Sequence, residues 1–104
     1  MIKNNALIKE TVTSVLPGAE VILFGSRARG TAMEHSDYDL LVITPNQLKK
    51  DNFVSAYSTL RNKFASSFRG DHIDLIIKSR AEADFEKDRI NFLVYEAFKD
   101  GIKL

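Results

Sequence analysis

The stretch from Gly25 to Val42, GSRARGTAMEHSDYDLLV, constrains the fold of this chain more than any other. A Gly-Ser pair ends one apolar run, ten residues follow the serine, and Asp37 and Asp39 open a second apolar run. The preceding segment Ala19–Phe24 (AEVILF) is short, β-branched and bounded by turn residues, which predicts a buried strand. Asp37–Thr44 (DYDLLVIT) predicts another, and alternation along it puts Asp37, Asp39, Leu41 and Ile43 on one face and Tyr38, Leu40 and Val42 on the other. Both faces carry apolar residues, so only the Asp end of that face is expected to be open.

The rest of the chain fits around these two strands. Leu7, Ile8, Val12, Val15 and Leu16 recur at helical spacing, and Pro17-Gly18 ends the pattern. Gly25-Ser26 follows the first strand directly, and RARGTA is long enough for a short helix whose unpaired backbone N–H groups would suit an anion. Arg27, Arg29 and Gly30 strengthen that reading. Thr44-Pro45-Asn46-Gln47 matches a capping box, with Asp51 an equal candidate for the helix start. Phe53, Tyr57, Leu60, Phe64 and Phe68 then step along one helical face and are expected to be core, and Gly70 is the expected stop. His72–Lys78 (HIDLIIK) predicts a third strand, with His72, Asp74 and Ile76 on one face. Ser79-Arg80-Ala81-Glu82 is a second capping box, opening a helical region with a break near Asn91 and a stop at Gly101, after which Ile102–Leu104 can add an edge strand. The order predicts an α/β (α+β) fold, a small mixed β-sheet with helices on one face, as a single domain spanning 1–104.

Composition narrows the function. The chain has 104 residues, 44% of them hydrophobic, enough for one core. Fifteen Lys and Arg stand against 14 Asp and Glu, so no global field marks a general nucleic-acid binder, and direct nucleic-acid binding is not expected. There is no Cys, which removes disulfides and thiolate metal sites, and two His are too few for a His-based zinc site. No apolar run approaches a membrane span and the N-terminus lacks the apolar core of a signal peptide, so the expectation is a cytoplasmic protein without membrane contact.

The chemistry follows from the acidic residues. Two carboxylates about 5 Å apart repel by roughly 3 kcal/mol at an effective dielectric of 20. Either one takes up a proton or a cation sits between them. Asp37, Asp39 and Asp74 offer only oxygen, so Mg²⁺, or Mn²⁺, is the natural occupant, completing its shell with water and substrate phosphate. Gly25, Ser26, Arg27 and Arg29 would grip a polyphosphate beside them. Two such ions favour in-line displacement at phosphorus, so phosphoryl or nucleotidyl transfer is the reaction class.

Gly-Ser, ten residues, Asp-x-Asp, and a later apolar-Asp-apolar strand (HIDLII) together resemble the DNA polymerase β-like nucleotidyltransferases, and specifically the minimal nucleotidyltransferases of the MntA antitoxin type. The resemblance implies a polymerase β-like palm. It implies that Gly25, Ser26 and Arg29 contact the phosphates of ATP, that Asp37 and Asp39 hold two metal ions, and that Asp74 holds the catalytic one and helps deprotonate an acceptor hydroxyl. That hydroxyl, implied to be a Tyr of a HEPN-domain toxin, would attack the α-phosphate and take up AMP, making this chain an antitoxin within a homo- or hetero-oligomer. A non-catalytic antitoxin that covers its partner is the alternative; transfer to a small molecule such as an aminoglycoside fits less well, because such enzymes carry extra structure for the acceptor. Asp71 competes with Asp74 but has the opposite strand parity. His35 and His72 are read as bystanders, although His72 shares a face with Asp74. In the last helix Leu93, Val94, Ala97 and Phe98 are read as core, with any exposed remainder as partner surface.

Overall fold

The computed structural model describes residues 2–30, 37–68 and 72–104. The elements run α1 (Ile2–Val15), β1 (Glu20–Phe24), α2 (Ser26–Arg29), β2 (Tyr38–Thr44), α3 (Lys50–Ser67), β3 (Ile73–Ser79), α4 (Arg80–Glu86), α5 (Leu93–Asp100) and β4 (Ile102–Lys103). The strands form one mixed sheet in the order β3-β2-β1-β4. β1 is antiparallel to both β2 and β4, whereas β2 and β3 are parallel and joined by α3 as a crossover. Among the described residues no helix is long and apolar enough to cross a membrane.

The α/β class and the mixed sheet are as expected, but the helices stand on both faces of the sheet rather than on one. On the first face Val21, Leu23, Leu40, Val42, Leu75 and Ile77 pack against Ile8 and Val12 of α1 and against Leu60, Phe64 and Phe68 from α3 and its C-terminal cap. On the second, Ile22, Phe24, Leu41 and Ile43 meet Ala83 of α4 and Val94 and Ala97 of α5. The cause is strand composition: β1 and β2 carry aliphatic residues at consecutive positions, and a strand apolar on both sides must be covered on both sides.

Helix ends differ from the sequence reading in one place. Thr44 does not cap α3, because it is still paired with Ser79 as the last residue of β2, and its hydroxyl donates to the Asn46 carbonyl at 2.7 Å. Lys49 is the N-cap, without a side-chain bond, and Asp51 lies inside the first turn, where its charge favours the helix dipole. The second capping box forms as expected: Glu82 N donates to Ser79 Oγ at 3.1 Å and Ser79 N donates to Glu82 Oε1 at 2.9 Å. The helical region breaks between Glu86 and Leu93, and β4 adds at the β1 edge. Gly70, His35 and Asp71 lie outside the described residues.

The aromatic stripe of α3 divides. Leu60, Phe64 and Phe68 are buried, but Phe53 and Tyr57, expected in the core, are 39% and 36% exposed. They stack on each other instead, with ring centroids 6.3 Å apart and planes inclined by 14°. The last helix splits in the same way, with Val94 and Ala97 buried and Leu93 and Phe98 exposed.

Candidate active site

The register of the three central strands builds the site. Phe24 of β1 lies opposite Asp39 of β2, and Asp39 lies opposite Asp74 of β3. Paired residues share a face, so these three side chains form a row across the second face of the sheet. The row sits at the ends of the strands: Phe24 still belongs to the apolar layer under α4 and α5, and beyond it, toward Asp39 and Asp74, the face opens. Asp37 precedes β2 by one residue and is exposed.

Gly25 fixes one end of the row. Its φ of +75° and ψ of −156° belong to a region that residues with a Cβ rarely adopt, and a Cβ there would come within 2.1 Å of Asp39 Oδ2. The corner between β1 and α2 therefore presses its backbone against the Asp39 carboxyl. The amides of Ala28 and Arg29 both return to the Gly25 carbonyl at 3.1 Å, winding Ser26–Arg29 into a single turn. Arg29 is close enough for its charge to favour ionised Asp39. Arg27 goes elsewhere: its guanidinium lies 4.2 Å from the centre of the Tyr38 ring, and Tyr38 belongs to the first face.

The other end of the row is open. Asp74 lies within an apolar run, yet its side chain is 51% exposed, because it lies next to the start of an edge strand. Asp39 is the part-buried carboxyl of the set. Burial, and then the charge of Asp74, a hydrogen bond to Asp74 and the charge of Asp37, push its proton affinity above the usual carboxylate range. Asp37, His72 and Asp74 each bring a ligating atom within 4.8 Å of the other two. His72 Nε2 stands 2.9 Å from Asp74 Oδ1, so a residue read as a bystander lies inside the cluster. The signal for it was the parity it shares with Asp74.

The donor set fits a hard divalent cation. Three carboxyl groups crowd one patch, two on the surface; after burial, the charges of Asp74 and Asp37 add to the raised proton affinity of Asp39, and a cation there would offset them. A cavity of about 520 Å³ adjoins the patch, lined by Phe24, Asp39 and Asp74 on the sheet, Tyr57 and Arg61 on α3, and Leu93 on α5. Tyr57 and Arg61 were not singled out as site residues, and nothing in their spacing distinguishes them from core and surface positions of α3.

The nucleotidyltransferase domain model matches residues 6–101, nearly the whole chain. This chain belongs to the nucleotidyltransferase domain family. A protein of Methanocaldococcus jannaschii, provisionally described as a protein adenylyltransferase, is 67% identical over 30 residues, which are 29% of this chain and 20% of that one. The match thus spans about a fifth of that relative's length. The crystal structure of a toxin-antitoxin with AMP-PNP superposes with a TM-score of 0.69 at 23% identity, over 96% of this chain and 71% of that one. A tri-AMPylated Shewanella oneidensis HEPN toxin in complex with its MNT antitoxin gives 0.59 at 20% identity, over 96% and 67%. At such identities the structural likeness is one of fold.

Proposed function

We propose that this chain is an Mg²⁺-dependent adenylyltransferase that moves AMP from ATP to a tyrosine hydroxyl of a HEPN-domain toxin and thereby acts as its antitoxin. The observation that carries the reading is the approach of the Gly25 backbone to Asp39 in line with Asp74, which sets a glycine corner against a cluster of carboxyl groups. Two neighbours of the same fold support the biological side, one a toxin-antitoxin with AMP-PNP and the other an AMPylated HEPN toxin with its antitoxin.

In this reading Gly25, Ser26 and Arg29 hold the terminal phosphates, with Arg27 steadying the corner through Tyr38 rather than touching the nucleotide. Asp37, Asp39 and Asp74 would hold Mg²⁺, which supplies Lewis-acid polarisation of the α-phosphate and neutralises charge on the leaving group. The acceptor oxygen bonds to the α-phosphorus while the bond from that phosphorus to the bridging oxygen of the β-phosphate breaks, and pyrophosphate departs. The hydroxyl proton passes to the exposed Asp74 carboxylate and from there to solvent. His72, 2.9 Å away, orients that carboxylate.

The test is incubation with ATP labelled at the α-phosphate, Mg²⁺ and the protein encoded beside this chain. Label should appear on the partner, and Asp39→Asn should lower the rate at least a hundredfold. If Asp37→Asn/Asp39→Asn silences the partner in cells as well as the parent chain does, the antitoxin acts by covering its partner and catalysis is not the mechanism.

A further inference from the structure

The outer edge of β3 leads directly into the carboxyl cluster, and it lacks a strand partner among the described residues. In a parallel strand, alternate residues turn both main-chain groups to the same side. Tyr38 N donates to the His72 carbonyl at 2.9 Å and the Thr44 hydroxyl reaches the Lys78 carbonyl at 3.5 Å, so the even-numbered residues of β3 face β2. The main-chain groups of Ile73, Leu75 and Ile77 therefore face outward, while their side chains stay in the core. The Arg61 guanidinium already uses that side, donating to the Ile73 carbonyl. Beyond it come the N–H and C=O groups of Leu75 and Ile77.

A groove follows this edge between β3 and α3. Three cavities occur in sequence along the strand, of about 80 Å³ at Ile73, about 520 Å³ at Leu75 and about 370 Å³ at Ile77. The middle one is the cavity that also contains Asp39 and Asp74. Its α3 wall carries Tyr57, and Phe53 lines the third, so the exposed aromatic stack is the side of the groove facing the strand edge.

We propose that an extended segment of the acceptor protein docks along this groove as an additional strand on β3, bringing its tyrosine hydroxyl to Asp74. The proposal rests on the AMP-transfer reading above. Two features select a polypeptide as the occupant. A row of outward main-chain donors and acceptors is matched in spacing by another main chain, and the groove beside it offers an aromatic surface to alternate side chains. The placement also satisfies the chemistry. The Gly25 corner, where the phosphates belong, is at the β1 end of the Phe24–Asp39–Asp74 row, whereas the free edge is at the β3 end. In-line displacement requires acceptor and leaving group on opposite sides of phosphorus, and these two ends are opposite.

Two measurements on the full chain with the protein encoded beside it test this. Hydrogen exchange at the Leu75 and Ile77 amides, fast in the free chain, should slow at least tenfold when the partner is added. Phe53→Glu, at an exposed position outside the cavity that holds Asp39 and Asp74, should raise the KM for the partner about tenfold or more and leave the KM for ATP and the melting temperature close to those of the parent. If the parent chain transfers AMP but the Leu75 and Ile77 amides exchange as before, or Phe53→Glu keeps the parent's KM for the partner, the edge is not the docking track and the activity stands. If the parent chain transfers no AMP, the activity itself is overturned and the docking proposal with it.

Discussion

At the scale of single residues, Gly25 and Asp39 form a coupled pair. A methyl group at Gly25 would meet Asp39 Oδ2 at 2.1 Å while the backbone sits at φ +75°, so Gly25→Ala both strains the corner and displaces the carboxyl. Strain of this kind costs on the order of 1–3 kcal/mol. The expected outcome is loss of AMP transfer with retained fold, read by transfer assay and circular dichroism; a fully active Gly25→Ala would show that the corner does not touch the chemistry. Asp39 makes a prediction about pH. Its carboxyl is held above the usual range, first by burial and then by Asp74 and Asp37, so the folded chain binds that proton more tightly than the unfolded chain does. Stability therefore falls as pH rises from the unfolded value of about 3.9 through the raised folded value, and the deficit persists at neutral pH. With EDTA present at pH 7, Asp39→Asn should melt above the parent, and the gap should close as pH approaches 4. A parent that is the more stable of the two at pH 7 without metal would contradict the crowding of carboxyl groups.

At the scale of elements, most of the fold was legible because local signals agreed with tertiary demands. β1, β2 and β3 are short β-branched runs with clear stops, and each lies within a residue or so of its predicted span. The Ser79-x-x-Glu82 box was readable because both halves are local, and both bonds form. Ser79→Ala should cost about 1 kcal/mol, measured by urea unfolding, and an unchanged midpoint would mean that α4 is held by Ala83 packing alone. The Thr44 box failed because β2 pairing had a prior claim on the same residue, which no window of four residues can reveal. The α3 stripe failed for a related reason. Periodicity shows which side chains share a face, but not that Phe53 and Tyr57 stand beside the open edge of β3 while Leu60 and Phe64 meet the core. For the site, parity alone could put Asp37 with Asp39, and His72 with Asp74, on one face of their own strands. Parity could not give the parallel register that sets Asp39 beside Asp74, nor the placement of Arg27 over the Tyr38 ring.

At the scale of the whole molecule, the sheet is clamped by two apolar layers and left open at one end, and this division has a thermodynamic consequence. Leu60 in the first layer and Val94 in the second are almost completely buried, so the fold does not depend on the carboxyl cluster for its stability. The cluster is a local cost to the folded state, which any bound counter-charge removes. Ligands that bind only the folded chain stabilise it by RT ln(1 + [L]/Kd), about 2.7 kcal/mol at a hundred times Kd. For a domain of this size each kcal/mol corresponds to roughly 4–8 °C in melting temperature. ATP with Mg²⁺ at such excess should therefore raise the melting temperature of the parent by at least about 10 °C. On the proposed reading the phosphates and the ion share one site, so ATP in EDTA should give only a small part of that rise, and Asp39→Asn should lose most of it with Mg²⁺ present. Equal stabilisation of the parent and Asp39→Asn by ATP and Mg²⁺ would place the nucleotide away from the Asp row, and the Gly25 corner would then lose its assigned role.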